Sequence, residues 1–319
     1  MNLEKLIQKA NEFLLQKYNL KPETTQLNLF NEEQWQHLLQ RTGEEQTDGF
    51  FVPKYKHANI NANSKNAVFN IFHEYFGHGL FEEYSEYDIN ADTEQYYLHS
   101  EAFAMWMEQK MTTQLVNEGI TIYYPDQHAK ILQSIKEIED EWGWLGVFGT
   151  CKMPKHYNQE DVKELIRNHA RTHNREFESA ILYGSQKPKS DIDLVLISKH
   201  KYENIYTEWL DIFNLKRGEF FQRIKNLDIA VTDPAFSGTI LFDKNNAVKL
   251  ARELAKTTNI TQNQITYNEN MSTHQQTVAN QNKHHSQSVA KQYSKTYSLN
   301  SKHLRKGEKL LTMKRLIQV

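Results

Sequence analysis

Residues 179–197 constrain what this chain can fold into: Ser179-Ala180-Ile181-Leu182-Tyr183-Gly184-Ser185-Gln186-Lys187-Pro188-Lys189-Ser190-Asp191-Ile192-Asp193-Leu194-Val195-Leu196-Ile197. An apolar run, a Gly-Ser turn, a basic spacer and a second apolar run carrying two acids read as two short strands joined by a turn. Aspartates two apart on a strand point to the same face. Two carboxylates there can bridge a hard divalent cation, which takes oxygen ligands and keeps positions open for phosphate. Gly184 lets backbone N–H groups approach phosphate oxygens, and the Ser185 hydroxyl can donate to them. A third acid, Asp228, sits in Asn226-Leu227-Asp228-Ile229-Ala230-Val231, which reads as another short apolar strand. Three carboxylates around one or two Mg²⁺ suit in-line transfer at a nucleotide α-phosphate.

This order of hydrophobic-Gly-Ser, spacer, Asp-x-Asp and later Asp resembles the nucleotidyltransferase signature of the DNA polymerase β-like superfamily. Residues 159–255 are similar to its minimal forms, which include small bacterial toxin or antitoxin enzymes and antibiotic nucleotidyltransferases. The resemblance implies that Gly184 and Ser185 hold the triphosphate, and Lys187 and Lys189 keep the spacer basic, as nucleotide phosphate binding wants. It implies Asp191 and Asp193 as Mg²⁺ ligands, and Asp228 as a metal ligand or general base. Ser237-Gly238-Thr239-Ile240-Leu241-Phe242 loosely resembles the segment after the third carboxylate. In one departure, five residues separate Ser185 from Asp191, against about nine in the minimal forms. A shortened loop either alters the grip on nucleotide or trims a surface turn.

Residues 71–80 carry a second pattern, Ile71-Phe72-His73-Glu74-Tyr75-Phe76-Gly77-His78-Gly79-Leu80. A zinc peptidase needs two neutral imidazoles on one side of the metal and a carboxylate beside the bound water, commonly from histidines four apart on a helix. Here they are five apart, which on an ideal helix rotates them ~140° beyond a full turn. One inserted residue, taken up as a π-type bulge, brings them back together. Gly77 stands where a deformed backbone is easiest. The surface-histidine alternative is the one that five-residue spacing favours.

HEYFGHG resembles the HExxGH motif of dipeptidyl peptidase III and related gluzincins. In that class a glutamate from a later helix completes the metal site, and Glu101, in a helix expected over 93–115, is the match. The resemblance implies His73, His78 and Glu101 on Zn²⁺, with Glu74 activating the water. Glu82, Glu83 and Asp88 are rival ligands, and Tyr96, Tyr97 and His99 are candidate oxyanion donors. Ala102 and Ala104 are small enough to let two helices approach closely.

Helices are also expected over 1–19, 31–41, 126–142, 201–213 and 245–256, with one beginning near Ala67 and another near Gln159. Strands are expected at 50–53, 179–183, 192–197, 226–232 and 239–242. The Gly- and Pro-bearing stretch at 143–158 is the expected break between domains. The chain has 319 residues and a net charge of −2. That charge is a cancellation: from Lys256 onward ten basic residues face Glu269 and Glu308, so the rest is about −10. Residues 257–300 are rich in Asn, Gln, Ser, Thr and His with few aliphatics, a composition that predicts disorder. Residues 302–319 recover a short basic amphipathic pattern, either a helix suited to nucleic acid, an anionic membrane or a protein partner, or, as the favoured alternative, a solvated tail with no role of its own. The lone cysteine, Cys151, fits a reducing compartment. No apolar run approaches the ~20 residues of a membrane span, and no signal-peptide pattern opens the chain, so a cytoplasmic location is expected.

The expected architecture is α+β. It comprises a mainly helical zincin-like domain (1–155), a nucleotidyltransferase domain with a small mixed sheet (156–256) and a disordered basic tail (257–319). The expected chemistry is Mg²⁺-dependent transfer of a nucleoside monophosphate from an NTP to a protein, RNA or small-molecule acceptor, fused to a zinc metallopeptidase. One alternative is a peptidase whose second domain serves recognition. Another is a binding protein with both sites degenerate. Two site types in one chain fit a toxin, defence or mobile-element effector by analogy.

Overall fold

The computed structural model describes residues 3–43, 47–116, 126–281 and 285–312. It is a mixed α/β structure of two compact units, Met1–His173 with Lys187–Lys189, and Asn174–Gln186 with Ser190–Val319. Among the described residues no helix is long and apolar enough to cross a membrane.

The first unit begins with α1 (Leu3–Tyr18), whose 3.6-residue periodicity buries Leu6, Ala10 and Leu14. β1 (Gln26–Phe30), β2 (Gly49–Val52) and β3 (His57–Asn61) form a sheet in the order β1-β3-β2, parallel on one side of β3 and antiparallel on the other. Between β1 and β2, α2 (Glu32–Thr42) starts at a capping box made by Asn31 and Gln34. α3 (Ala67–Asn70), a π-helix (Ile71–His78) and α4 (Gly79–Tyr84) run on in succession. α5 (Thr93–Met111) ends in a second π-turn (Thr112–Val116). α6 (Asp126–Thr150) runs beyond the expected end at Trp142. It is kinked at Gly143, whose positive φ of 67° is strained for other residues. Tyr18, Phe103, Trp106, Trp144 and Phe148 make an aromatic core, Trp144 meeting Phe148 edge-on at 5.0 Å. α7 (Gln159–Thr172) packs along α6, so this unit closes one helix beyond the break expected at 143–158.

The second unit is built on a five-stranded mixed sheet: β4 (Ser179–Tyr183), β5 (Ile192–Ser198), β6 (Ile205–Tyr206), β7 (Leu210–Lys216) and β8 (Thr239–Asp243), in the order β6-β7-β5-β4-β8. β5 and β7 are parallel and the other pairs antiparallel. Register places Tyr183, Asp193 and Asp211 across one end of one face, then Ile181, Val195 and Phe213. Farther along that face, Ile197 and Leu215 join a core completed by α8 (Arg217–Lys225), α9 (Ile229–Ser237) and α10 (Ala247–Thr257). α11 (Gln262–Gln281) and α12 (His285–Arg305) add Ile265 and Leu304 to the same core.

Three expectations are corrected here. The helix expected over 201–213 is β6 and β7, because Leu210 and Ile212 alternate with Asp211 and Phe213 at strand period. The strand expected over 226–232 is a helix start. Leu227 adopts φ 51°, and the Asp228 side chain caps α9 by accepting from the Ala230 N–H at 3.1 Å.

The tail expected to be disordered is a helical hairpin through residue 281 and again from 285 to 305. Its polar side chains bond to one another and to the body of the unit. Asn300 donates to the Leu227 carbonyl and to Asn268 Oδ1, both at 2.9 Å, and Asn268 donates to the Asn226 carbonyl at 3.1 Å. Ser272 and Ser294 exchange hydroxyl-to-carbonyl bonds at 2.9 Å. Of the expected basic amphipathic stretch, residues 313–319 lie outside the described residues, and 302–305 end α12.

Candidate functional site

In the second unit, the β5–β7 register sets Asp193 directly opposite Asp211. Asp191 stands just before β5, and one carboxylate oxygen from each of Asp191, Asp193 and Asp211 lies within 4.8 Å of the others. Gly184 turns over this cluster with φ +74°. A Cβ built there would stand 2.0 Å from Asp193 Oδ2, so glycine is required both by the backbone and by the carboxylate beneath it. Burial, then the charges of Asp191 and Asp211, push Asp193 up to about 7. Three carboxylates this close repel one another unless protons or cations intervene. An all-oxygen donor set of this kind fits a hard divalent cation. Ser185 is exposed beside Gly184, and its hydroxyl accepts from Ser190 Oγ at 3.2 Å. Lys187 is exposed, and Lys189 Nζ is 3.1 Å from Glu86 Oε1.

Asp228 is not part of this cluster. It is fully buried and accepts from Arg223 Nε at 2.7 Å, Tyr267 OH at 2.7 Å and Tyr297 OH at 2.6 Å, besides the Ala230 N–H. Its carboxylate oxygens are thus engaged by four donors within the fold. The carboxylate the structure brings beside Asp191 and Asp193 is Asp211, not the expected Asp228. Its signal was the repeat of hydrophobic-Asp-hydrophobic, Leu210-Asp211-Ile212 echoing Ile192-Asp193-Leu194.

In the first unit the π-helix brings His73 and His78 onto one side. Their rings are 4.9 Å apart and nearly perpendicular. Glu101 on α5 reaches both: His73 Nε2 lies 3.4 Å from Oε1 and His78 Nε2 lies 3.4 Å from Oε2. A tetrahedral ion with ligands at ~2.1 Å has ligand–ligand edges of ~3.4 Å, so these spacings fit a zinc-sized ion. The outer ring nitrogens are anchored as well, His73 Nδ1 to Glu108 Oε2 at 3.1 Å and His78 Nδ1 to Ser100 Oγ at 2.7 Å. Such partners fix tautomer and ring orientation in metal-binding histidines. Burial alone would depress His73, but its hydrogen bonds to Glu101 and Glu108 and the nearby Glu74 charge raise it well above the ordinary histidine value. Burial opposes ionisation of Glu101, yet His73 and His78 hold it below the carboxylate range.

Helix contact explains how the two elements come so close. A Cβ at Gly77 would lie 2.5 Å from Ala104 Cα, so the π-helix packs backbone to backbone on α5. The rivals are engaged elsewhere. Glu83 accepts from the Glu23, Thr24 and Thr25 N–H groups, Tyr96 donates to Glu82, and Asp88 caps the Asn90 turn. His99 stacks on Tyr87 at 4.5 Å, and Tyr97 is exposed. The sequence reading missed Glu108, the acid that closes the apolar run Ala102-Phe103-Ala104-Met105-Trp106-Met107, and it missed Ser100 and His128. His128 Nε2 is 4.0 Å from Glu101 Oε1.

No protein-family model matches the chain, and no curated protein matches it significantly. Among solved structures it is similar to a nucleotidyltransferase-like protein from Exiguobacterium sibiricum, with a TM-score of 0.29 and 10% identity. The match covers 47% of this chain and 58% of that one.

Proposed function

We propose that the second unit is a nucleotidyltransferase acting on an NTP. The observation that carries the reading is the convergence of Asp191, Asp193 and Asp211 under the Gly184 turn. Bound divalent cations, Mg²⁺ being the natural choice, would neutralise the triphosphate and lower the pKa of the acceptor hydroxyl. The three carboxylates would hold them, and the Gly184–Ser185 turn would receive phosphate oxygens. In the transfer, the acceptor oxygen bonds to the α-phosphorus as the bond from that phosphorus to the bridging oxygen breaks, and pyrophosphate leaves. The acceptor is a protein side chain, an RNA end or a small-molecule hydroxyl. Incubation with α-labelled NTPs, Mg²⁺ and cell extract is expected to label an acceptor. Equal labelling by wild type and Asp191→Ala/Asp193→Ala would overturn the reading.

A second reading, zinc-dependent peptide hydrolysis in the first unit, rests on the π-helix that aligns His73 and His78 with Glu101. Bound zinc would supply a water acidic enough to be a nucleophile near neutral pH. Glu74, next to His73, would take the water's proton, while Glu108 and Ser100 keep the imidazoles oriented. Cleavage of a peptide library that disappears in Glu74→Gln supports this reading. Cleavage that persists unchanged in that variant removes it.

A further inference from the structure

A second group of imidazoles and a carboxylate lies away from the HExxGH helix. His169 in the last turn of α7 and His173 at its C-cap are four residues apart, and the helical bond from His173 N–H to the His169 carbonyl is kept at 3.1 Å. Their rings therefore share one face, with centroids 4.7 Å apart. Glu141 on α6 enters between them. Its Oε1 lies 3.2 Å from His169 Nδ1 and 2.7 Å from His173 Nε2, and all three donor atoms fall within 4.8 Å of one another. We propose that Glu141, His169 and His173 form a second binding site for a zinc-class divalent ion.

Three features favour a metal over a plain ion pair. Two nitrogens and one oxygen in this arrangement are the donor set of His₂Glu zinc sites, and histidines four apart on a helix are a chelating pair. The donors are prepositioned. His169 is buried with its ring stacked on Trp142 of α6 at 4.3 Å and 12°. The carboxylate contacts are close to a zinc edge: opening them from 3.2 and 2.7 Å to ~3.4 Å moves atoms by less than ~1 Å. His173 and Glu141 have side-chain exposures of 38% and 28%, which leaves the solvent side open for a water or a substrate ligand.

The test is metal counting on the full chain after equilibration with Zn²⁺ alone, repeated with Co²⁺, whose absorption reports nitrogen and oxygen ligation. His173→Gln is expected to bind one equivalent fewer than wild type and to lose the matching Co²⁺ absorption, with its metal-free melting temperature little changed because the side chain is at the surface. Glu141→Gln is expected to weaken the same equivalent at least tenfold. His78→Ala reads the other centre separately, so failure there does not mimic failure here. If His173→Gln and Glu141→Gln bind as many equivalents as wild type, with the same affinities, the site is a salt-bridged cluster and the proposal falls.

Discussion

The Tyr297 hydroxyl donates to Asp228 Oδ1 at 2.6 Å across 69 residues of chain. With Tyr267 and Arg223 it closes a buried carboxylate that the sequence order alone had suggested for catalysis. The C-terminal hairpin thereby belongs to the folded body of the second unit.

Removing one donor from that carboxylate separates structural from catalytic roles. Tyr297→Phe is expected to cost about 1–3 kcal/mol, the range for leaving a buried acceptor short of a bond. Asp228→Ala is expected to cost roughly 3–5 kcal/mol, because it strands the Arg223 charge in the interior. Both are read by urea denaturation. NTP labelling by the folded fraction of Tyr297→Phe should be preserved; a stable fold with labelling abolished in both variants would return Asp228 to the site.

The carboxylate cluster sets a pH dependence with a definite sign. Asp193 is raised to about 7 from an ordinary 3.8, so its stabilising contribution is full below pH 3.8 and is lost as pH rises through 7. Without divalent cations, Asp193→Asn is therefore expected to be more stable than wild type at pH 8, by roughly 1–2 kcal/mol after allowance for partial solvent access. The two should converge at low pH. Adding Mg²⁺ at pH 8 should stabilise wild type and not the variant. Melting curves at pH 5 and pH 8 with and without Mg²⁺ check this, and equal pH dependence of both proteins would count against a shared site.

Close helix contact makes Gly77 irreplaceable. Gly77→Ala puts a methyl 2.7 Å from Ala104 Cβ and is expected to cost about 1–3 kcal/mol and to lower zinc retention, as α5 shifts and carries Glu101 with it. The same change at Gly218, in the first turn of α8, meets nothing within 4 Å and should change stability by less than ~0.5 kcal/mol. Thermal melts and metal content distinguish the two variants.

Zinc loading at the His73 centre should release a proton. His73 is held protonated by Glu101 and Glu108, and its stabilising contribution is full below pH 6.5 and lost as pH rises through its elevated value. Zinc requires the neutral imidazole, so its affinity should climb with pH, and calorimetric heats near pH 7 should differ between buffers of different ionisation enthalpy. Heats independent of buffer would show that no proton leaves. Glu108→Gln should reduce both the proton release and the affinity by about tenfold or more.

How much was legible in the sequence follows from the range of the interactions. Local patterns carried the strands at 179–183 and 192–197, the amphipathic α1 and the Gly-Ser turn, because period and turn chemistry act over a few residues. Five-residue histidine spacing called for a π-type distortion, and Ile71–His78 is a π-helix. Glu101 was named through the gluzincin resemblance, among rival acids, and it lies between both imidazoles.

What the tertiary structure alone decided depends on pairing between distant segments. Asp211 reaches Asp193 only through a parallel strand register, which one-dimensional spacing does not encode. Asp228 follows Asp193 in the sequence pattern but stands outside its cluster, bonded by Tyr267 and Tyr297 from distant helices. Residues 257–300 read as disordered because their apolar content is low. Their order comes from long-range hydrogen bonds by asparagine, serine and tyrosine that satisfy buried polar groups where hydrophobic area is scarce. Composition measures burial of apolar surface, and it is blind to a polar interface until the chain has folded around it.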